Sequence, residues 1–193
     1  VEQAVANLKE FLPSLAAAGA AGQFRQKGAE LEFGTNNPPV VIEIGQNRFI
    51  HLRGRIDRVD CADVDGRWTG IVIDYKSGST TRKMDWTKFY HGLDVQLAVY
   101  CLALQRMMVE NRPVETVAGA FYIPLEQSIK TDLRKLDEDT KPSVKARGIF
   151  DGQFAKTLDI QCESKSTFYG FTWKDGEPYG SSNYSDALRT VEF

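Results

Sequence analysis

Ile71-Val72-Ile73-Asp74-Tyr75-Lys76-Ser77-Gly78 runs three β-branched residues into an acid, an aromatic and a lysine, then a small turn pair. β-Branched side chains suit a buried, pleated strand, and Ser-Gly ends it. Strand side chains alternate between faces, so Asp74 and Lys76 are expected on one face and Tyr75 on the other. A strand that only fills a core has little reason to set an acid beside a base at its exit. A hydrolytic site does: the carboxylate holds a divalent cation, and the ammonium orients water or steadies negative charge.

Upstream, Leu52-Arg53-Gly54-Arg55-Ile56-Asp57-Arg58-Val59-Asp60 reads as the neighbouring strand. Arg53, Arg55, Asp57 and Val59 fall on one face, and Leu52, Gly54, Ile56, Arg58 and Asp60 on the other. Asp65-Gly66 is a hairpin signal between the two strands. An antiparallel hairpin turning there brings Asp57 level with Asp74, to within a residue or two. Neighbouring strands lie about 4.8 Å apart, so two carboxylates can grip one cation. Paired acids in an apolar sheet are costly unless a metal or a base compensates them. Downstream, residues 93–109 read as a helix, with Leu93, Leu97, Tyr100, Leu104 and Met107/Met108 along one side. Gln96 and Tyr100 are four apart and stack on one face of it.

Gly54 and Asp57, then Asp74 and Lys76, then Gln96 and Tyr100 form the ordered pattern Gly-x-x-Asp, Asp-x-Lys, Gln-x-x-x-Tyr. In this the chain resembles the PD-(D/E)XK nucleases of the RecB-like branch, and most of all the C-terminal nuclease domain of AddB-type helicase–nuclease subunits. Each motif alone is weak; three in order at this spacing are specific. The resemblance runs from about Glu30 to the end. It implies an α/β, restriction-endonuclease-like core with a mixed central sheet flanked by helices. It implies an Mg2+- or Mn2+-dependent deoxyribonuclease with Asp57, Asp74 and Lys76 catalytic. Asp57, Asp74 and the Tyr75 backbone carbonyl would hold the metal. Gln96 and Tyr100 would help place the DNA, with Arg55 and Arg58 beside them. The implied partners are DNA, with single-stranded ends, and an AddA-type helicase subunit, in double-strand break processing and recombinational repair. The opposing expectation is an inactive, nuclease-like DNA-binding or scaffold module of a helicase complex.

Two departures from the family pattern bear on that choice. RecB-like nucleases commonly add a metal-binding histidine ahead of the first strands, whereas the only histidines here are His51 and His91. AddB-type domains often carry an iron–sulfur cluster on one cysteine before the core and three after it. Cys61, Cys101 and Cys162 do not match that spacing and do not support a cluster. Either the chain is an excised fragment, which the start on Val1 favours, or its lineage lacks the cluster.

Length and composition set the frame. At 193 residues, one domain spanning 1–193 is expected. The net charge of −2 leaves no global field to attract a polyanion, so a nucleic-acid surface must be local. Arg53, Arg55, Arg58, Lys76, Arg82, Lys83 and Lys88 cluster near the motifs, and Trp86, Phe89 and Tyr90 offer stacking surfaces. No apolar run reaches the length of a membrane span, and no secretory signal is visible. Dispersed, odd-numbered cysteines suit a reducing cytoplasm better than a disulfide framework.

The remaining expectations are coarse. A helix is expected over 1–18, kinked at Pro13, with strands over 30–34, 40–44, 48–60 and 70–76. Strand 117–124 is apolar on both faces, which places it centrally and, after a crossover helix, parallel to a neighbour. An edge strand over 129–136, a turn and short helix over 146–158, a strand over 168–173 and a helix from Ser185 complete the reading.

Overall fold

The computed structural model describes residues 18–35, 37–76, 86–124, 145–174 and 177–179, with residues 12 and 16 besides. Its centre is a five-stranded mixed sheet in the order β1-β4-β5-β8-β9. These strands are Arg25–Phe33 (β1), Gly54–Val64 (β4), Arg67–Lys76 (β5), Thr116–Pro124 (β8) and Arg147–Phe150 (β9). Between them lie a hairpin of Val40–Glu43 (β2) with Phe49–Leu52 (β3), and a small ribbon of Met108–Val109 (β6) with Arg112–Pro113 (β7). Thr172–Lys174 (β10) pairs with Glu177–Tyr179 (β11). Helices lie at Trp86–Tyr90 (α1), Gln96–Leu104 (α2) and Ala155–Leu158 (α3). This is the mixed, helix-flanked α/β sheet that the motifs implied.

The β4–β5 hairpin forms as the sequence indicates. Val64 pairs with Arg67, and Asp65 and Gly66 both take positive φ, 52° and 79°. Two positive φ values in a two-residue loop match the twist of the flanking strands. β5 then pairs parallel with β8, from Thr69↔Thr116 to Lys76↔Pro124. β8 lies between β5 and β9, so the strand read as apolar on both faces is interior.

Each sheet face has its own core. Val59, Cys61, Val72, Ala120 and Tyr122 face Leu97, Cys101 and Leu104 of α2. Ile71, Ile73, Phe121 and Phe150 face Phe154, Leu158 and Phe171 on the other side. Ile56, Ile71, Val72 and Leu104 are fully buried, and each such side chain contributes about 1.5–3 kcal/mol of burial. Gly70 lets α2 approach β5: a Cβ there would stand 3.0 Å from Leu104 Cδ2. That close packing brings the start of α2 over the end of β5.

Several expectations are corrected. The strand read over 48–60 breaks at Arg53 into β3 and β4, which belong to different sheets. The strand read over 30–34 is the end of a longer β1. The helix read over 93–109 is shorter, because Met108 and Val109 leave it to pair with Arg112 and Pro113. The 146–158 segment begins with edge strand β9 before a 3-10 turn at Gly152–Phe154 and α3. Glycine explains that edge: a Cβ at Gly148 would meet the Ala120 carbonyl oxygen at 1.9 Å, so only glycine permits this approach to β8. Of the helix read over 1–18, residues 12, 16 and 18 are helical, and 19–21 continue the helix. The strand over 129–136 and the helix from Ser185 lie outside the described residues.

Candidate active site

The β4–β5 ladder runs from Val64↔Arg67 to Arg58↔Ile73. One step further would set Asp57 opposite Asp74, but there the backbone pairing stops. Tyr75 N–H donates instead to Asp57 Oδ2, at 3.0 Å. Asp57 is therefore tied by its side chain to the residue between Asp74 and Lys76. On β1, Glu30 lies between the pairs Ala29↔Arg58 and Leu31↔Ile56 and has φ 54°. Positive φ on a non-glycine within a strand is a strained conformation. Both neighbours of β4 thus depart from regular pairing at Asp57.

Asp74 and Lys76 share the α2 face, as strand alternation requires. Lys76 Nζ stands 2.6 Å from Asp74 Oδ2 and donates to Gln96 Oε1 at 2.8 Å. Gln96 Nε2 donates to Asp74 Oδ1 and to Tyr100 Oη, both at 2.9 Å. Gln96 and Tyr100 are one helical turn apart, which lets one amide serve both. Asp74 is only 2 % exposed. A carboxylate that deep needs a cation and hydrogen bonds, and Lys76 with Gln96 provides them. Burial pushes the Tyr100 phenol above its ordinary pKa; the Gln96 hydrogen bond opposes this, the Asp74 and Asp57 charges add to it, and Arg55 lowers it.

Arg55 is exposed, with Nε 2.7 Å from Glu30 Oε2. Beside it an open hollow of about 280 Å³ is lined by Glu32, Thr35, Arg53, Gly54 and Arg55. Arg58 is elsewhere. Its guanidinium forks onto Asp60 at 2.6 and 2.7 Å and donates to Tyr75 Oη at 3.2 Å. Its ladder partner Ile73 belongs to the opposite core. Burial weighs against its charge, but Asp60 and the Tyr75 hydroxyl outweigh this and raise its pKa. Arg58, expected beside the DNA-placing residues, is thus turned to the reverse face, where all three of its nitrogens donate to Asp60 and Tyr75. Phe89 packs on the α2-side core, whereas Tyr90 is 86 % exposed.

Two residues without a motif join the site. Tyr122 is the parallel-ladder partner of Asp74. Its hydroxyl donates to Asp94 Oδ1 at 3.0 Å, and Lys76 Nζ lies 5.0 Å from its ring centroid. An aromatic with a polar tip in an otherwise apolar central strand was the one available signal.

Among the described residues, no group of three or more His, Cys, Asp and Glu is arranged to hold a metal. A cation here would rest on two carboxylates and the Tyr75 carbonyl. That all-oxygen set fits the preference of Mg2+ and Mn2+. His51 and His91 are both exposed, the latter against Tyr90. Cys61, Cys101 and Cys162 are buried free thiols, the first two in one core and the third in the other.

A family model for the PD-(D/E)XK nuclease superfamily matches residues 2–165. The chain belongs to that superfamily. Among curated proteins it is similar to the B subunit of the ATP-dependent helicase/deoxyribonuclease of several bacteria. It is 33% identical to that of Alkaliphilus oremlandii over 187 residues, 89% of this chain and 16% of the relative. It is 34% identical to that of Caldanaerobacter subterraneus subsp. tengcongensis over 149 residues, 76% of this chain and 13% of the relative. With that of Lachnoclostridium phytofermentans the identity is 41% over 105 residues, 53% of this chain and 9% of the relative. The chain thus spans a small fraction of these relatives' length. Among the described residues, no helix is long and apolar enough to cross a membrane.

Proposed function

We propose that this chain is a nuclease domain that hydrolyses DNA phosphodiester bonds with Mg2+ or Mn2+. The observation that carries the reading is the Asp57–Asp74–Lys76–Gln96 constellation where β4 and β5 part, in a chain of this superfamily. Asp57, Asp74 and the Tyr75 carbonyl would hold the cation. When bound, it supplies Lewis-acid stabilisation of phosphate charge and makes a water more acidic.

The protein's own groups do the rest. Lys76, fixed between Asp74 and Gln96, orients the attacking water or offsets negative charge on the phosphate. Gln96 sets the Asp74 carboxylate and the Lys76 ammonium by bonding both, while Tyr100 braces the Gln96 amide. Arg55, exposed beside the hollow, contacts a phosphate of the bound strand.

The curated relatives' printed name joins a helicase to a deoxyribonuclease. We extend this to the present chain as an exonuclease domain acting on single-stranded DNA ends beside an AddA-type helicase subunit. Its work would be double-strand break repair in the cytoplasm, and we take 1–193 as one domain of a longer subunit. A second reading, a DNA-binding module without activity, is favoured by there being, among the described residues, no group of three or more His, Cys, Asp and Glu placed to hold a metal.

The test is cleavage of linear single-stranded DNA with Mg2+ or Mn2+ by the parent, Asp74→Ala and Lys76→Ala proteins. The nuclease reading expects each substitution to lower the rate by roughly 100-fold or more. Tight DNA binding without cleavage under any divalent cation would favour the module instead.

A further inference from the structure

Asp57 and Asp74 sit where the β4–β5 backbone ladder has ended, at Arg58↔Ile73. Backbone hydrogen bonds normally lock strand register, so beyond that pair something else must hold the two acids in relation. Consecutive residues of β4 do so from opposite sides of the sheet. Asp57 accepts the Tyr75 backbone N–H at 3.0 Å. Arg58, on the reverse face, donates to the Tyr75 phenol oxygen at 3.2 Å. Tyr75 is thus gripped at its amide and at its ring tip by neighbours in sequence.

The Arg58 end of this grip is rigid. Its fork onto Asp60 uses two donors, at 2.6 and 2.7 Å, with side chains 14% and 4% exposed. A planar guanidinium held by two parallel bonds has its third nitrogen aimed in a fixed direction. That donor meets Tyr75, whose peptide unit joins Asp74 to Lys76.

We propose that Arg58 and the Tyr75 hydroxyl are positioning residues that hold Asp57 and Asp74 at the separation a divalent cation needs, acting through the sheet. This rests on the cation-dependent reading above. Neither group touches DNA in it, so their loss should change cation affinity and leave DNA affinity alone.

The test compares the parent with Tyr75→Phe, which removes only the hydroxyl, and with Arg58→Lys, which keeps the charge beside Asp60 and loses the fork. Mn2+ binding to the DNA-free protein is followed by electron paramagnetic resonance. The cation concentration for half-maximal cleavage and the KM for DNA at saturating cation are then measured. Partners behind metal ligands typically tune metal affinity by roughly 10- to 100-fold. The proposal expects Mn2+ affinity to fall about 10-fold in Tyr75→Phe, the lower end of that range, with the half-maximal concentration rising in parallel and KM unchanged. A folded Tyr75→Phe protein with parental Mn2+ affinity overturns it. So does a raised KM with an unshifted cation titration, since that would make these groups part of DNA binding. If the parent itself takes up no Mn2+, the cation reading falls first and this proposal with it.

Discussion

Gln96 Nε2 donates to Asp74 Oδ1 at 2.9 Å, so a helix reaches down and caps a buried strand carboxylate. The same amide accepts from Lys76 through its oxygen. Gln96→Leu keeps the volume and removes these bonds together with the one to Tyr100. A buried acceptor deprived of its donor costs about 1–3 kcal/mol. Urea unfolding should show stability falling by that amount, read as a lower midpoint at an unchanged slope, and cleavage should fall with it because Lys76 loses its tether.

Arg58 and Asp60 form the most buried ion pair among the described residues. Breaking a buried pair by removing one partner leaves an uncompensated charge and costs about 3–5 kcal/mol. Asp60→Ala should therefore lower the thermal midpoint far more than Asp63→Ala. Asp63 makes an exposed pair with Arg112 at 3.3 Å, and such pairs are worth about 0–1 kcal/mol.

Glu30 holds φ 54° in a strand. A left-handed conformation costs an ordinary residue about 1–2 kcal/mol, whereas glycine adopts it freely. The Glu30 contact to Arg55 is more than half exposed at both ends and worth at most about 1 kcal/mol. Glu30→Gly should thus leave stability equal or raise it by about 1 kcal/mol in urea unfolding. A marked fall would show that the ion pair outweighs the backbone strain.

Burial pushes the Cys61 and Cys101 thiols from the ordinary 9.0 up to about 12, with the Asp60 charge adding to the effect at Cys61. The folded state keeps these protons when the unfolded chain would release them. Stability from this source is complete below about pH 9 and is lost as pH rises towards about 12. A disulfide reagent at pH 8 should leave both thiols unmodified in the native protein and label them on unfolding.

The residues that carry the proposed chemistry were legible because each lies in a short pattern with a fixed geometric meaning. Alternation put Asp74 and Lys76 on one face, Asp65-Gly66 set the hairpin register, and a four-residue spacing stacked Gln96 on Tyr100. Alternation also separates Arg58 from Asp57, which is why a basic residue next to the acid turns away from it and takes Asp60, two along on its own face. What stayed hidden depends on tertiary pairing. The break at Arg53 exists because β3 pairs with β2 while β4 pairs with β1 and β5. The helix ends early because Met107 N–H is the last to bond back, to Leu104, and Val109 then pairs with Arg112. Tyr122 reaches Asp74 only through the parallel register of β5 and β8, which no local pattern encodes.

In the proposed nuclease reading, Asp57 and Asp74 serve one cation. This is tested most directly by a crystal structure of the protein grown with Mn2+, located by anomalous scattering. A single ion is expected, bonded to a carboxylate oxygen of Asp57, one of Asp74 and the Tyr75 carbonyl, with Lys76 beside it. An ion bound elsewhere, or one held by either acid without the other, would contradict it.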